Sequence, residues 1–338
     1  MHSHYLNHSR IGRSAGMTLI ELMVALAIGS FLMIGAVTVF TQSRTTFRVN
    51  ESVARLQENA RFVLDAMEPD VRMAHYFGLT TRSTRIQGRA TPADPVAFPV
   101  AGDCGQNWSV NLLNPVDGNN NGYAWACAPF GAAQPTSDAF VIRRVAEDST
   151  AAPLGNTLYV QSARFQDGQL FVGPAIPAGY LPATSQPFQL VVNGYYVSQN
   201  SSLDTPGNPI PSLRRKTLIG GAGGLRVVDQ EVLPGVEDMQ IEFGVDTDVF
   251  DAPNRGSVDR YVNPGDPILD PLSGAYIPTA EILAVRVWLR MRAENRENGF
   301  TDTTNYVYAD QNVAAPNDAF RRILVSKTIY LRNAKPPL

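Results

Sequence analysis

Residues 16–40 read GMTLIELMVALAIGSFLMIGAVTVF, and this stretch decides the fold. Its last part, from Leu22 to Phe40, contains 19 residues without a single charge. A helix of that length spans about 28 Å, close to the roughly 30 Å hydrocarbon core of a bilayer. No second apolar run of this length follows in the sequence. We therefore predict one membrane-spanning helix, with the remaining chain on one side of the membrane.

The segment before this helix is basic and short. Residues 1–16 contain Arg10 and Arg13, no acidic residue, and small polar residues at the end. An ordinary secretory signal peptide has a shorter apolar region followed by an Ala-x-Ala-like cleavage site, and no such site follows Phe40. The pattern therefore favours a leader that precedes a lasting membrane helix over a secretory signal.

Glu21 is the exception within the apolar helix. A carboxylate in or near the bilayer costs about 2.5–3.5 kcal/mol or more, so it needs a partner or a function. In one interpretation Glu21 lies at the headgroup edge, where its charge costs little. In the other, the chain is cut after Gly16, and the new amine of Met17 neutralises Glu21 of a neighbouring subunit.

The segment Gly16-Met17-Thr18-Leu19-Ile20-Glu21 resembles the class III signal of type IV prepilins and pseudopilins. Three features coincide: a glycine at the cut, a glutamate five residues beyond it, and a cut placed before the apolar stretch. The resemblance implies cleavage between Gly16 and Met17 by prepilin peptidase, N-methylation of Met17, and assembly guided by Glu21. It also places the leader in the cytoplasm, an orientation that the Lys and Arg counts around the span do not support by themselves.

Beyond Phe40 the apolar residues recur at alternating spacings of four and three, which places them on one face of a helix. These residues are Val49, Val53, Leu56, Ala60, Val63 and Met67. A soluble coiled coil shows the same stripe, but the membrane span directly before it argues against one. We predict a continuous helix from about Met17 to Glu68, which Pro69 ends or kinks, with residues 70–76 adding a turn.

The remainder of the chain is predicted to be rich in β-strands. Alternating apolar residues favour strands at 188–197, 239–245, 285–291 and 323–331. Clusters of Gly, Pro, Asn and Asp predict loops at 203–211 and 261–274. The fold class is therefore α+β and pilin-like: a long N-terminal helix packed on an antiparallel β-sheet head with long loops. The predicted parts are a cleaved leader (1–16), a membrane and filament-core helix (17–40), an amphipathic helix (41–76) and a periplasmic head (77–338).

Three further segments resemble PilW-type minor pilins: LQENARF at 56–62, VEDMQIEFGVD at 236–246, and the stretch from Arg321 to Asn333. With the prepilin signal, the resemblance reaches both ends of the chain, whereas residues 80–230 show none. It implies a minor pilin that helps to initiate type IV pilus assembly. The implied partners are other minor pilins, the major pilin, prepilin peptidase, the inner-membrane assembly platform and a large tip adhesin. The implied location is the inner membrane, with a periplasmic head, and then the pilus tip.

Composition limits the other functions. With 28 Lys and Arg against 31 Asp and Glu, the net charge is −3, so no basic field for nucleic acid exists. Three of the four histidines lie in the first ten residues, which leaves His75 as the one histidine for catalysis in the mature chain. We therefore expect no enzyme. The alternatives are a minor pseudopilin of a type II secretion system, which shares the signal, helix and β-rich head, and a membrane-anchored periplasmic enzyme.

Cys104 and Cys127 are the only cysteines in the sequence. Both are predicted to lie outside the inner membrane, where disulfides persist. A bond between them closes a loop of about 24 residues and contributes roughly 3 kcal/mol in the chain-entropy description. The alternatives are two free thiols or a metal pair, and zinc is disfavoured because the mature chain has one histidine.

Two stretches are rich in oxygen ligands. Residues 117–122, DGNNNG, match the first half of a calcium loop, but position 12 falls on Ala128, where a bidentate Glu is needed. The second stretch contains four aspartates: Asp246, Asp248, Asp251 and Asp259. Runs of Asn, Asp and Gly are also typical of plain turns. We expect no cofactor, with calcium at Asp246, Asp248 and Asp251 as the alternative.

Mass spectrometry of the N-terminus of the mature chain tests the predicted processing. We expect Met17 as the first residue, carrying one added methyl group, because the resemblance places the cut after Gly16. An intact Met1, or a cut at any other position, would contradict the prediction.

Overall fold

The computed structural model describes residues 16–249 and 252–334. Residues 1–15 of the predicted leader, and Asp251 among the calcium candidates, lie outside the described residues. The chain divides after Ser52 into two units, and this boundary falls within one helix, α1 (Leu19–Arg72). The units are described separately below.

The N-terminal unit contains the apolar part of α1. Its side chains from Leu19 to Phe47 are exposed, apart from a partly covered Gly29, and by length and composition α1 can cross a membrane. Hydroxyl groups in this segment donate to backbone carbonyls four residues earlier, as Ser30 does to Leu26 at 2.7 Å and Thr38 to Ile34 at 2.8 Å. The hydroxyl groups of these two residues therefore find partners within the helix, as an apolar environment requires.

The second unit begins with the amphipathic part of α1, here called the stem (residues 53–72). The stem buries one face, which contains Leu56, Ala60, Val63, Leu64, Met67, Asp70 and Val71. Four residues of the predicted stripe, Leu56, Ala60, Val63 and Met67, are on this face, whereas its first two, Val49 and Val53, are only partly covered. The helix continues through Pro69 to Arg72 because the turn after the proline is buried, and residues 73–75 then form a turn.

The head consists of short and long strands joined by long loops. The strands are β1 (Ile86–Gln87), β2 (Val116–Asn119), β3 (Ala139–Ser149), β4 (Leu158–Ala163), β5 (Gly168–Val172), β6 (Ser185–Ser198), β7 (Ser212–Ile219), β8 (Arg226–Pro234), β9 (Val236–Asp246), β10 (Arg260–Val262), β11 (Glu281–Arg292), β12 (Tyr306–Tyr308), β13 (Gln311–Val313) and β14 (Arg322–Tyr330). Single turns of 3₁₀ helix occur at Ser83–Arg85, Trp108–Val110 and Pro267–Leu269.

These strands form two main sheets and a hairpin. The larger sheet has the order β1-β5-β4-β6-β3-β2, with β7 paired to β6 and β8 paired to β7. The smaller sheet has the order β10-β9-β11-β14, and β12 pairs with β13. Strand pairing is antiparallel apart from β1 with β5. The predicted α+β class, with one long helix and a largely antiparallel head, is confirmed.

Three of the four predicted strands lie within β6, β9 and β11, and the fourth coincides with β14 except for Leu331, which lies one residue beyond its end. The loop predicted at 261–274 is wrong at its start, where β10 pairs with β9. Three residues are too few to show an alternation, and Tyr261 is held instead by the guanidinium of Arg286, 3.6 Å from its ring centre. This contact across the sheet leaves no local signal in the sequence.

The main core lies between the stem and the smaller sheet and also includes residues of β2, β3, β6 and β7 from the larger sheet. Alternate residues of β9 and β11, among them Ile241, Phe243, Val287 and Leu289, share one apolar cluster with Val63 of the stem. Each such side chain contributes about 1.5–3 kcal/mol when fully buried. A second apolar cluster joins β3, β4, β5 and β6 to the segment 77–112. The amphipathic stem therefore supplies the helix layer of the α+β fold.

One glycine carries the chain from the larger sheet to the smaller one. Gly235 is the residue between β8 and β9, and its φ is +86°. Its N–H donates to the carbonyl of Pro211, and its own carbonyl accepts from Arg292, both at 2.7 Å. A Cβ atom at this position would lie 2.9 Å from the Arg292 carbonyl oxygen. Only glycine suits this conformation and this close approach.

Charged side chains fix the stem on both sheets. Asp70, 5% exposed, accepts hydrogen bonds from Arg144 of β3 (Nε, 3.0 Å) and from Asn193 and Tyr195 of β6 (both 2.6 Å). On the edge strand β14, Lys327 lies opposite the buried Val287 of β11, and its Nζ contacts Glu68 at 2.6 Å. These contacts set the rotation of the stem about its axis.

Replacing Asp70 with Ala should lower the free energy of unfolding by about 3–5 kcal/mol, because it leaves the largely buried Arg144 guanidinium without its carboxylate. Urea unfolding of the full chain in detergent measures the loss. The matched control is Asp65→Ala, since the Asp65 side chain is 52% exposed and pairs with Lys327. We expect that change to cost much less than Asp70→Ala, because solvent screens an exposed ion pair. Equal losses in the two variants would contradict the role of Asp70.

Candidate functional site

The N-terminus of α1 holds Thr18 and Glu21 in reciprocal hydrogen bonds. The N–H and hydroxyl of Thr18 donate to Glu21 Oε2 at 3.0 and 2.9 Å, and the N–H of Glu21 meets Thr18 Oγ1 at 3.3 Å. This is a capping box, in which the residue before the helix and its third residue satisfy each other's backbone donors. Thr-x-x-Glu is the sequence signature of this motif, and the interpretation of Glu21 as a lone charge in an apolar stretch misses it.

The predicted cleavage site lies directly before this cap. Gly16, Met17 and Thr18 have no regular secondary structure, and the Met17 side chain is 70% exposed. A protease can therefore reach the Gly16–Met17 bond without unwinding α1. The next charged side chain after Glu21 is Arg44, so one carboxylate stands alone in a long exposed apolar surface. Cleavage after Gly16 and methylation of Met17 stay predictions.

The predicted disulfide is present between Cys104 and Cys127, whose Cα atoms lie 4.3 Å apart. It closes a loop that carries aromatic side chains onto β6. The rings of Trp108 and Trp125 pack edge to face with centroids 5.4 Å apart, beside Gly194 of β6. A Cβ at Gly194 would approach Trp125 to 2.7 Å, so the loop packs closely on the strand. The disulfide therefore fastens an otherwise Gly- and Asn-rich loop.

Of the calcium candidates, the structure brings Asp246, Asp248 and Asp259 together, with one oxygen of each within 4.8 Å of the others. Asp246 accepts the N–H of Asp248 at 2.9 Å and that of Gly256, and Asp259 accepts the N–H of Thr247 at 2.7 Å. Partial desolvation, and then the charges of Asp259 and Asp246, raise the pKa of Asp248. The cluster has the geometry of hydrogen-bonded turns and a ligand set that suits a hard cation, so calcium here stays a prediction.

The half calcium loop at 117–122 is organised differently. Residues Val116–Asn119 form β2 and pair with β3. Asp117 accepts the N–H of Gly118 at 2.8 Å, as a turn residue does. The amides of Asn120 and Asn121, at the end of the turn, point to Asp310 instead. A calcium loop formed by this segment alone is therefore not present.

His75 is the histidine that the structure describes, and it follows the stem with a positive φ of 64°. Burial lowers its pKa to about 4, so its imidazole is neutral at neutral pH. It lines a cavity of about 700 Å³ together with Arg82, Asp117 and Glu281, and burial raises the pKa of Glu281. For the alternative of a membrane-anchored enzyme, this cavity is the candidate active site.

Comparison with known proteins gives two family matches. Residues 194–333 match the family described as type IV pilus-assembly protein W, PilW. Residues 11–37 match the prokaryotic N-terminal methylation motif, which includes Gly16, Met17 and Glu21. None of the curated proteins compared with the chain matches it.

Among solved structures, the chain is similar to a type IV-like pilin, TTHA1219, from Thermus thermophilus. The sequence identity is 13%, the TM-score is 0.34, and the similarity covers 83% of this chain and 98% of that one.

The class III signal and the apolar helix indicate membrane anchoring by a single span. Pilin-family domains are structural rather than enzymatic. The methylation motif at residues 11–37 and the PilW match over residues 194–333 make the chain PilW-like and support a type IV minor pilin.

Proposed function

We propose that this minor pilin helps to initiate type IV pilus assembly, as part of a complex with other minor pilins near the pilus tip. The observation that carries the proposal is the start of α1, where Glu21 is the one charged residue before Arg44 in a helix whose apolar side chains are exposed. Such a surface requires lipid or other apolar helices around it. Entry into a bundle of similar helices satisfies the apolar side chains but leaves the carboxylate in need of a positive partner.

Cleavage after Gly16 supplies that partner. The new amine of Met17 lies at the end of the chain, and Glu21 lies one helical turn away along the same segment. When one helix is displaced along its neighbour, the amine of one subunit reaches the carboxylate of the next. Two unit charges 4 Å apart attract each other by about 4 kcal/mol at an effective dielectric constant of 20. This pairing favours a defined displacement between subunits.

The disulfide supports a location outside the cytoplasm. Cys104 and Cys127 are bonded, and structural disulfides persist in the oxidising periplasm. We infer that the leader is cytoplasmic, that prepilin peptidase removes it, and that the head is periplasmic. An inner-membrane assembly platform then transfers the subunit into the pilus, where the head faces the exterior.

The head offers an apolar surface for partners. Phe165 is 82% exposed and Leu181 is 68% exposed. Their loops are joined by hydrogen bonds from Gln166 to the Gly179 carbonyl at 3.2 Å and from Tyr180 to the Asp167 carbonyl at 3.0 Å. These hydrogen bonds hold the two loops together, and we propose that their exposed apolar side chains contact partner subunits. Other minor pilins, the major pilin and a tip adhesin are the partners we propose.

The substitution Glu21→Gln removes the charge of residue 21 and keeps a side chain that can cap the helix. Glutamine also serves in a capping box, so we expect normal folding and normal cleavage. Losing this charge pair should lower incorporation into pili by more than about tenfold. Immunoblots of sheared pili, normalised to the membrane-bound chain, measure incorporation.

Thr18→Ala is the matched control for this experiment. It removes the cap, at about 1 kcal/mol of helix stability, and keeps the carboxylate. We expect incorporation close to that of the unmodified chain. Normal incorporation of Glu21→Gln, or failure of Thr18→Ala alone, would show that Glu21 acts as a cap rather than as a charge.

Deleting the gene for the chain tests the initiation role. We expect few or no surface pili by electron microscopy, and restored pili when the gene is returned, because without initiation few filaments start. Normal pili together with a lost secreted substrate would instead support the pseudopilin alternative.

A further inference from the structure

Residues 294–320 form an excursion from the smaller sheet, here called the arm. The chain leaves this sheet at the end of β11 and returns at the start of β14, where Arg292 and Arg322 lie opposite each other in adjacent strands. The arm contains β12 and β13, which pair with each other and, within the described residues, with no third strand. The strands of the smaller sheet therefore pair without any contribution from the arm.

The backbone of the arm is bonded to itself. Its two limbs are joined by the N–H of Glu297, which donates to the carbonyl of Ala319, and by that of Asp302, which donates to the carbonyl of Asp318, both at 2.8 Å. Among the described residues, each backbone-to-backbone hydrogen bond of the arm has both of its partners inside the arm. Every hydrogen bond that attaches the arm to the rest of the head therefore involves a side chain.

At its tip, the arm is attached by hydrogen bonds to carboxylates. The hydroxyl of Tyr308 donates to Asp238, a residue of β9 that is 1% exposed. Asp310, in the turn between β12 and β13, accepts hydrogen bonds at 2.9–3.0 Å from the amides of three asparagines in distant loops: Asn120, Asn121 and Asn263. These contacts are directed and polar, so water can replace each of them.

At its base, the arm is attached by ion pairs. Arg322 of β14 contacts Asp302 at 3.2 Å and Asp318 at 2.7 Å. The same guanidinium also contacts Glu237 of β9 at 2.6 Å, so it keeps one carboxylate partner from the sheet itself. Separation of the arm from the sheet therefore leaves Arg322 paired.

The buried rings of the arm lie on guanidinium groups rather than in an apolar core. Within the described residues, the arm contributes no side chain to either apolar cluster of the head. Arg290 of β11 lies 5.8 and 5.9 Å from the ring centres of Tyr306 and Tyr308, and Arg292 lies 4.4 Å from that of Phe320. Because apolar burial is the dominant stabilising contribution to folding, both clusters keep this contribution when the arm separates from the sheet.

Arg290 is incompletely satisfied while the arm covers it. The residue is 6% exposed, and its Nη1 has no hydrogen-bond partner among the described residues. Glu237 lies 3.1 Å from its Nε and offsets the charge, but a buried donor without an acceptor still destabilises the closed state. Water can reach this nitrogen once Tyr306 and Tyr308 move away. The closed arm therefore has a cost that the open arm does not have.

We propose that the arm is a strap that opens as one unit while the stem and both sheets stay folded. Its attachments are hydrogen bonds, ion pairs and cation–π contacts, all of which exchange with water more readily than apolar contacts do. Segments with few apolar contacts are the ones that open locally at a free energy below that of global unfolding.

Opening changes the charge of the strand face beneath the arm. In the closed state, three guanidinium groups on this face are accompanied by four carboxylates: Arg290, Arg292 and Arg322 with Glu237, Asp238, Asp302 and Asp318. Asp302 and Asp318 belong to the arm and leave with it. The guanidinium groups then outnumber the carboxylates, so the strap determines whether the head presents a basic strand face to solvent.

Hydrogen exchange of the full chain in detergent, followed by mass spectrometry, measures the opening. An isolated two-stranded hairpin is marginally stable at best, so the paired amides of β12 and β13 lose their protection when the arm separates. We expect these amides to exchange at least about tenfold faster than those of β9 and β11, after correction for intrinsic rates. Equal protection of the arm and of these two strands would overturn the proposal.

Tyr308→Phe removes the donor to Asp238 and keeps the aromatic ring. We expect exchange in β12 and β13 to become about tenfold faster, because a hydrogen bond to a charged group is lost from the closed state only. Exchange in β9, β11 and the stem should stay unchanged, and an equal acceleration there would contradict local opening. The matched control is Tyr261→Phe, since the ring of Tyr261 lies on Arg286 outside the arm. It should leave exchange in the arm unchanged.

Asp318→Asn tests whether the arm opens as a unit. The change weakens the ion pair with Arg322 at the base and keeps the oxygen that accepts the N–H of Phe320. For a strap, it should accelerate exchange of the same β12 and β13 amides as Tyr308→Phe does, although Asp318 lies outside both strands. Acceleration confined to residues 314–320, or no acceleration at all, would overturn the proposal.

Discussion

Asp70 is where the stem, β3 and β6 are held to one another. A buried carboxylate is costly unless several donors satisfy it, and here Arg144, Asn193 and Tyr195 all donate to it. Apolar contacts are non-directional, so the burial of Val63 and Met67 defines the register of the stem less sharply than directed hydrogen bonds do. A slide by one residue would remove Asp70 from Arg144 and leave that guanidinium unpaired. The polar contact therefore supplies the register that the apolar core does not.

Before the stem, the same helix, α1, requires an apolar environment around its whole surface. From Leu19 to Phe47 the apolar side chains point in all directions and are exposed, whereas from Leu56 onward they occupy one face. A one-sided stripe suits a helix that covers a sheet, and an all-round apolar surface suits lipid or a bundle of helices. One continuous helix thus serves two environments, and the change in apolar pattern marks the transition without any break in the backbone.

The sequence predicts those parts of the fold whose signals are local. The stem and the strands β6, β9, β11 and β14 were found because each shows its period over several turns or residue pairs. The two-residue β1 and three-residue β10 were not found, because too few residues carry a pattern and both depend on a neighbouring strand. The signal sequence and the disulfide were likewise predictable, from spacing and residue type. The hydrogen bond from Asn120 to Asp310 was not predictable, because 190 residues separate the two in sequence.

The capping box adds a physical reason for the position of Glu21. In the proposed mature chain, the amine of Met17 places a positive charge near the N-terminus of α1, where the helix dipole disfavours it by about 0.3–1 kcal/mol. Glu21, in the first turn, places a negative charge where the dipole favours it, and Thr18 holds that carboxylate in an exposed position. An isolated subunit therefore carries both charges at one end of an apolar helix. In the proposed assembly, the amine of a neighbouring subunit would neutralise this carboxylate while the apolar surfaces of the helices are covered.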